Sequence, residues 1–248
     1  GRVRPTVGGH GRVLRRVRHG PVRPVRVREG LVTEKTATVN RVRALLAENG
    51  IVIKQGPANF FALLPAIMDD LDNELSGMMR QVLRAQYAHL LGLREQVTEL
   101  EKMLQSLAAE EDSYQRLMQL PGVGLITATL LGSELGNGSA FRNGRCFAAY
   151  LGLTPRQHSS GGKNVLLGIS KRGNRYLRTL LIHCARSILR SLTLGKTPFG
   201  GGALEQWVHN LLERRGKNKT AVALAAKLAR VAWAMLARNT NFEKAFAA

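Results

Sequence analysis

Between Leu90 and Leu107 apolar residues recur every seven positions: Leu90, Val97 and Leu104, with Leu93, Leu100 and Leu107 three places later. Side chains alternate faces along a strand but return to one face about every 3.6 residues in a helix, so this repeat makes a continuous seam only when helical. The stretch from about Ala66 to Glu111 therefore reads as a long amphipathic helix. Its seam is filled either by another helix of the chain, as a coiled-coil hairpin, or by a second copy.

The neighbouring sequence follows the same period. Leu31, Val32, Val39, Val42, Leu45 and Leu46 fall at helical spacings, and Asn49-Gly50 supplies a stop. A second helical region begins near Asn59 and is expected to break at Pro65. Asp69, Asp70 and Asp72 read as a solvated face, because one short run of carboxylates converges poorly on an octahedral cation. Further on, Leu120-Pro121-Gly122-Val123-Gly124 joins two helical stretches. That pattern is the helix-hairpin-helix form, whose glycines turn backbone amides toward a phosphate, and Gly122 and Gly124 are its candidate contacts. An ordinary packing joint between helices has the same appearance.

Phe141 to Leu153 reads as a short helix. A helix from about Asn174 to Leu192 places Arg175, Arg178, Arg186 and Arg190 opposite an apolar stripe. Two closing helices, 203–215 and 219–238, carry Trp207 and Trp233 as core anchors. The fold expected is all-α: long coiled-coil helices followed by a helical domain with a helix-hairpin-helix and a serine-bearing loop. The corresponding domains are 1–28, 29–112 and 113–248.

That loop holds the most chemistry. Ser159 and Ser160 precede Gly161 and Gly162, which leave room for a large partner to approach a hydroxyl. Around the pair stand Arg156, Lys163, Lys171, Arg172, Arg175 and Arg178, a set suited to a polyanion. Such a loop can grip phosphate or present a serine oxygen as nucleophile to a phosphodiester. A glycine turn with capping serines is the bland alternative. His158 adjoins Ser159 and can orient or deprotonate a hydroxyl, or simply be a solvated loop residue.

Composition agrees with a nucleic-acid partner. The formal charge is +20 over 248 residues, with 44% hydrophobic and 22% charged residues. No spanning apolar run or signal pattern is evident, so a membrane is not expected and a cytoplasmic, nucleoid-associated location is. Cys146 and Cys184 lack metal-ligand spacing and read as buried thiols, and no histidine pair has metal spacing. Residues 1–28 hold nine arginines and no acid or lysine, and the charge falls to +11 once those arginines are set aside. Without apolar periodicity this stretch reads as a disordered basic arm along a phosphate backbone, or as a GC-rich gene translated out of frame.

The segments LPGVGLITA, AFRNGRCFAAYLGLTPRQHSSGGK and GISKRGNRYLRTLLIHCAR resemble the C-terminal domain of the DEDD-type insertion-sequence transposases, the family related to the Piv DNA invertase. The likeness covers nearly everything from Glu29 onward. It implies a recombinase whose N-terminal ribonuclease-H-like domain binds Mg2+ through four acids, and whose C-terminal serine attacks DNA and holds it as a phosphoserine link. It also implies DNA as partner, a structured guide RNA and a homo-oligomer through the coiled coil. Carried over, the serine is Ser160, with Ser159 as the adjacent alternative. Residues 1–28 lack the carboxylates and strands of the acidic domain, so the chain is expected to be a truncated or frameshifted product. It would then bind no metal itself and be inactive alone, a nucleic-acid-binding fragment regulating intact transposase being the alternative function.

Overall fold

A computed structural model describes the backbone of residues 22–160 and 163–242, and their side chains except at 22, 158–160, 163, 164 and 166. Among the described residues there are eight helices and one two-stranded sheet, so the all-α expectation holds for the architecture. Two compact units divide inside one long helix, the first spanning Arg23–Met103 and the second containing the described residues from Leu104 on.

In the first unit α1 (Val22–Glu48) and α3 (Gly77–Glu110) run antiparallel. Arg28 Nε donates to Glu101 at 2.7 Å, and six residues later Glu34 meets His89 at 3.0 Å. Rising numbers on one helix thus meet falling numbers on the other. Val42 and Leu46 of α1 join Leu83 and Leu90 of α3 in one buried cluster, so the seam is covered within the chain over this stretch. Leu93 and Val97 are buried too, whereas Leu107 at its far end is 37% exposed. Helix α1 begins at Val22, so the last residues of the arginine-rich stretch are helical rather than part of an arm. The remainder of that stretch lies outside the described residues.

Helix α2 (Pro57–Asp69) contains Pro65 instead of breaking there. Phe60, Leu64 and Met68 bury one face at i, i+4 and i+8. Burial of such side chains stabilises by about 1.5–3 kcal/mol each, which outweighs the roughly 3 kcal/mol an internal proline costs. The chain instead leaves the helix at Asp70. Arg80 closes the connection to α3 by donating to the carbonyls of Met68 at 2.9 Å and Leu75 at 3.2 Å and to Asn73 Oδ1 at 2.7 Å. The long amphipathic helix expected from Ala66 is therefore two helices. Asp69 pairs with the exposed Arg84 at 3.2 Å, and Asp70 accepts from the Asp72 backbone N–H, so the three acids are exposed but lie at the end of α2 and in the turn after it rather than along one helix face.

The second unit holds α4 (Asp112–Met118), α5 (Leu125–Leu135), α6 (Gly144–Tyr150), the hairpin β1 (Pro155–Ser160) and β2 (Lys163–Ile169), α7 (Arg175–Thr193) and α8 (Ala203–Ala237). Helix α5 is buried almost all round, and two of its hydroxyls are satisfied within the helix: Thr129 donates to Leu125 O at 2.9 Å and Ser133 to Thr129 O at 2.7 Å. Helix α7 buries Leu177, Leu181, Cys184, Ala185 and Ile188 on one face. Helix α8 bends at Gly216, φ 70°, where the sequence expects a break between two closing helices. Its alanines 221, 225, 229 and 232 are buried, which suits close packing against α6 and α7. Among the described residues α8 alone is long and apolar enough to cross a membrane, and much of that apolar surface is the core of this unit.

The serine-bearing loop is a β-hairpin, in which Ser159 pairs with Asn164 and Ser160 with Lys163. Gly161 and Gly162 lie outside the described residues. Cys146 is exposed rather than buried, and Cys184 is buried. Trp207 and Trp233 are half-buried rather than core, Trp233 donating Nε1–H to Gly138 O at 3.0 Å.

Candidate nucleic-acid interface

The hairpin is held at its base by two chain crossings. Ser170 N–H donates to Thr154 O at 2.9 Å and Lys171 N–H to Gly152 O at 3.1 Å, which ties the exit of β2 to the entry of β1. Two glycines beside them admit the close approach of backbone. Gly173 has φ 75°, and a Cβ there would lie 1.9 Å from Tyr150 O; Gly152 has φ 69°, and its Cβ would lie 2.3 Å from Arg172 O. Lys171, at φ 57°, enters the same left-handed region without glycine's freedom.

Arg178 locks this joint. Its Nη1 donates to Leu151 O at 3.0 Å and to Arg172 O at 2.8 Å, and the residue is only 8% exposed. Burial, then repulsion from Arg175, lowers its pKa, and among the described residues no carboxylate stands beside it to offset either. Arg178 thus faces inward, whereas the sequence places it on the basic stripe. Asn174 caps α7 by accepting from Leu177 N–H at 3.1 Å and donates Nδ2–H to Glu134 at 2.6 Å. Glu134 also accepts from the Tyr150 hydroxyl at 3.1 Å. Burial, with Glu134 alongside, pushes the Tyr150 phenol up to about 12. Phe141 and Phe147 pack on and beside that ring.

Outward from this frame stand Arg156, Lys171, Arg172 and Arg175, all exposed, and none forms an ion pair among the described residues. Arg186 and Arg190 continue the exposed face of α7. The backbone brings Ser159, Ser160 and Lys163 to the far end of the same hairpin. Their side chains, and that of His158, lie outside the described residues. The structure therefore gathers the hairpin, Lys171, Arg172 and Arg175 on one frame.

In the turn at Gly122 and Gly124, one of the two glycines is required by packing. A Cβ on Gly122, φ 73°, would lie 2.8 Å from Cys184 O, so this glycine admits the backbone of α7. Gly124 is the N-cap of α5 and has open space around it. The turn meets α7 at Cys184, about 13 Å along the helix from Arg175.

Sequence reasoning missed a second feature. A groove of about 870 Å3 lies at the hairpin base between Leu153, Leu167, Trp207 and Ala226, with Arg145, Lys219 and Arg230 in its lining. These residues are scattered over 85 positions of sequence, and only the fold brings them together. Among the described residues no group of three His, Cys, Asp or Glu side chains is placed to hold a metal ion.

A family model described as "Transposase IS116/IS110/IS902 family" matches residues 114–197, which include the hairpin and α7. The transposase for insertion sequence element IS1111A of Coxiella burnetii is 41% identical over 218 residues, covering 88% of this chain and 58% of that protein. The transposase for insertion sequence element IS1328 of Yersinia enterocolitica is 40% identical over 221 residues, 88% of this chain and 63% of its own length. A pilin gene-inverting protein of Moraxella bovis is 32% identical over 133 residues, 52% of this chain and 38% of the relative. The chain thus spans about three fifths of the insertion-sequence transposases it matches.

Proposed function

As the chain belongs to the IS116/IS110/IS902 transposase family, we propose that it binds insertion-sequence DNA through the cations around the β1–β2 hairpin and serves strand transfer with Ser160 as nucleophile. The observation that carries this reading is the exposed set Arg156, Lys171, Arg172 and Arg175, carried by the hairpin and the joint at its base with no carboxylate partner among the described residues. A phosphate backbone supplies the missing anions, and each contact releases a counterion. In the reaction Ser160 Oγ bonds to phosphorus, the bond from phosphorus to the departing sugar oxygen breaks, and the hydroxyl proton passes to that oxygen. A hydroxyl of the incoming strand then attacks the phosphoserine and its proton returns to Oγ, so no free energy source is required. His158 is placed by sequence to relay the proton, and Ser159 is the alternative nucleophile.

The Mg2+ implied by the family resemblance does not fit the described residues. Glu134, the carboxylate of this joint, is engaged by Tyr150 and Asn174, and no second acid gathers beside it. RNA phosphates offer the same chemistry as DNA, and a structured guide RNA belongs to the same proposal. An oligomer would need a face other than Leu90, Leu93 and Val97, which the chain itself buries.

The test is strand exchange by a full-length relative carrying this sequence in its matching region. Ser160→Ala is expected to abolish exchange and to leave DNA binding within about twofold, since one neutral hydroxyl is lost from a charge-dominated interface. Exchange that survives in Ser160→Ala but not Ser159→Ala moves the role to Ser159. Exchange that survives in both removes the serine mechanism and leaves a binding module.

A further inference from the structure

The groove at the hairpin base combines two properties that a duplex backbone does not use together. Its interior is apolar, with Leu153, Leu167 and Ala226 beside the half-buried ring of Trp207. Its polar lining is entirely basic or neutral: Arg145, Lys219 and Arg230 are there with Thr154 and Asn218. On the Trp207 ring itself, outside that lining, Lys227 Nζ sits 5.9 Å from the centroid. None of these cations has a carboxylate within ion-pair distance among the described residues. They also disturb one another: burial and then Arg230 lower the pKa of Lys227, and burial and then Arg145 lower that of Arg230. An anion bound there relieves both repulsions. A flat aromatic group occupies the apolar part, because stacking on tryptophan accepts any base.

We propose that this groove receives one unstacked nucleotide of a single-stranded segment, its base against Trp207 and its phosphate among Arg145, Lys219 and Arg230. The inference rests on the reading that this unit binds nucleic acid, and it names the form of strand bound. A base paired inside a duplex has no free face to offer Trp207, whereas an extruded one does. Pro155 and Ile169, at the base of the hairpin whose far end carries Ser160, line the groove. Pro155 and Ser160 are five residue steps apart along the strand, about 16 Å, so the captured nucleotide sits a few steps from the phosphate offered to the serine. A strand held there is one whose duplex has already opened beside the reacting link.

The experiment uses the full chain and three fluorescent probes: a single-stranded oligonucleotide, its duplex, and a strand of the same length with abasic sites throughout. Trp207→Leu is expected to weaken single-strand binding by about tenfold or more, the worth of one stacked base, with duplex and abasic binding within about twofold. Lys219→Met, at an exposed position, serves as a variant that leaves the core untouched and is expected to weaken single-strand binding several-fold. In a Trp233→Phe background the single strand quenches the Trp207 fluorescence and the abasic strand does not. Equal losses for all three probes, or no loss and no quenching, overturn the nucleotide site. Quenching by an acidic apolar peptide with single-strand binding unaffected assigns the groove to a protein segment and overturns it as well. Failure of the unmodified chain to bind any of the probes overturns the nucleic-acid reading itself.

Discussion

Replacing Arg178 by methionine separates a framing residue from a binding residue on the same helix. The guanidinium reaches two carbonyls from one nitrogen, Leu151 O at 3.0 Å and Arg172 O at 2.8 Å, at a site 8% exposed. Methionine keeps most of the aliphatic stem and leaves both acceptors without this donor. Hydrogen bonds to charged groups contribute about 1.5–3 kcal/mol each, and the relief of a desolvated guanidinium offsets part of the sum, so the net loss is about 3 kcal/mol. For a chain of this size that lowers the melting temperature by about 6–12 °C. Arg178→Lys retains the charge but not the planar two-donor geometry and should fall between the two. Arg175→Met removes an exposed cation, so it should leave stability within about 0.5 kcal/mol and weaken DNA binding. Thermal unfolding followed by circular dichroism, with duplex titrations of each folded variant, reads both quantities. An Arg178→Met protein that melts with the unmodified chain but loses affinity as Arg175→Met does would refute the framing role.

Two further outcomes follow from the same joint. Gly173→Ala forces a Cβ to 1.9 Å from Tyr150 O at φ 75° and should destabilise by more than about 3 kcal/mol, whereas Gly168→Ala, with open space around it, should be nearly neutral; equal melting temperatures would contradict the close crossing. The Tyr150 phenol is held up at about 12 against an ordinary 10.0, so above pH 10 the unfolded chain loses a proton that the folded chain keeps. Its contribution is complete below pH 10 and is lost as the pH rises towards 12, and Tyr150→Phe should flatten that part of the stability profile in alkaline denaturation.

The helices are legible in the sequence because burial imposes a period. Val42, Leu46, Leu83 and Leu90 are apolar at helical spacings and are buried in one cluster. The hairpin leaves no such trace. Val165 and Leu167 are each about half exposed, so β2 carries no fully buried apolar face, and the serines and glycines read as a loop. Pro65 looks like a break because local preference is visible and the burial of Phe60, Leu64 and Met68 that overrides it is not. The family resemblance picked out Ser160 and its surroundings, but spacing could not distinguish Arg175 from Arg178. Both lie on a basic stripe in sequence, and only the position of the Leu151 and Arg172 carbonyls decides which faces inward. The groove was invisible for a related reason: Arg145, Leu167, Trp207 and Arg230 share no motif and meet only through packing.

The central claim, that the exposed cations of the hairpin joint face a phosphate backbone, is tested most directly by the salt dependence of duplex binding. The unmodified chain is compared with the combined variant Arg156→Met, Lys171→Met, Arg172→Met and Arg175→Met. Each lost phosphate contact reduces the slope of log K against log salt by about 0.9, so the slope should become shallower by roughly 3–4 while the melting temperature stays near that of the unmodified chain. Identical slopes and affinities for the two proteins would place the nucleic acid elsewhere and contradict the account.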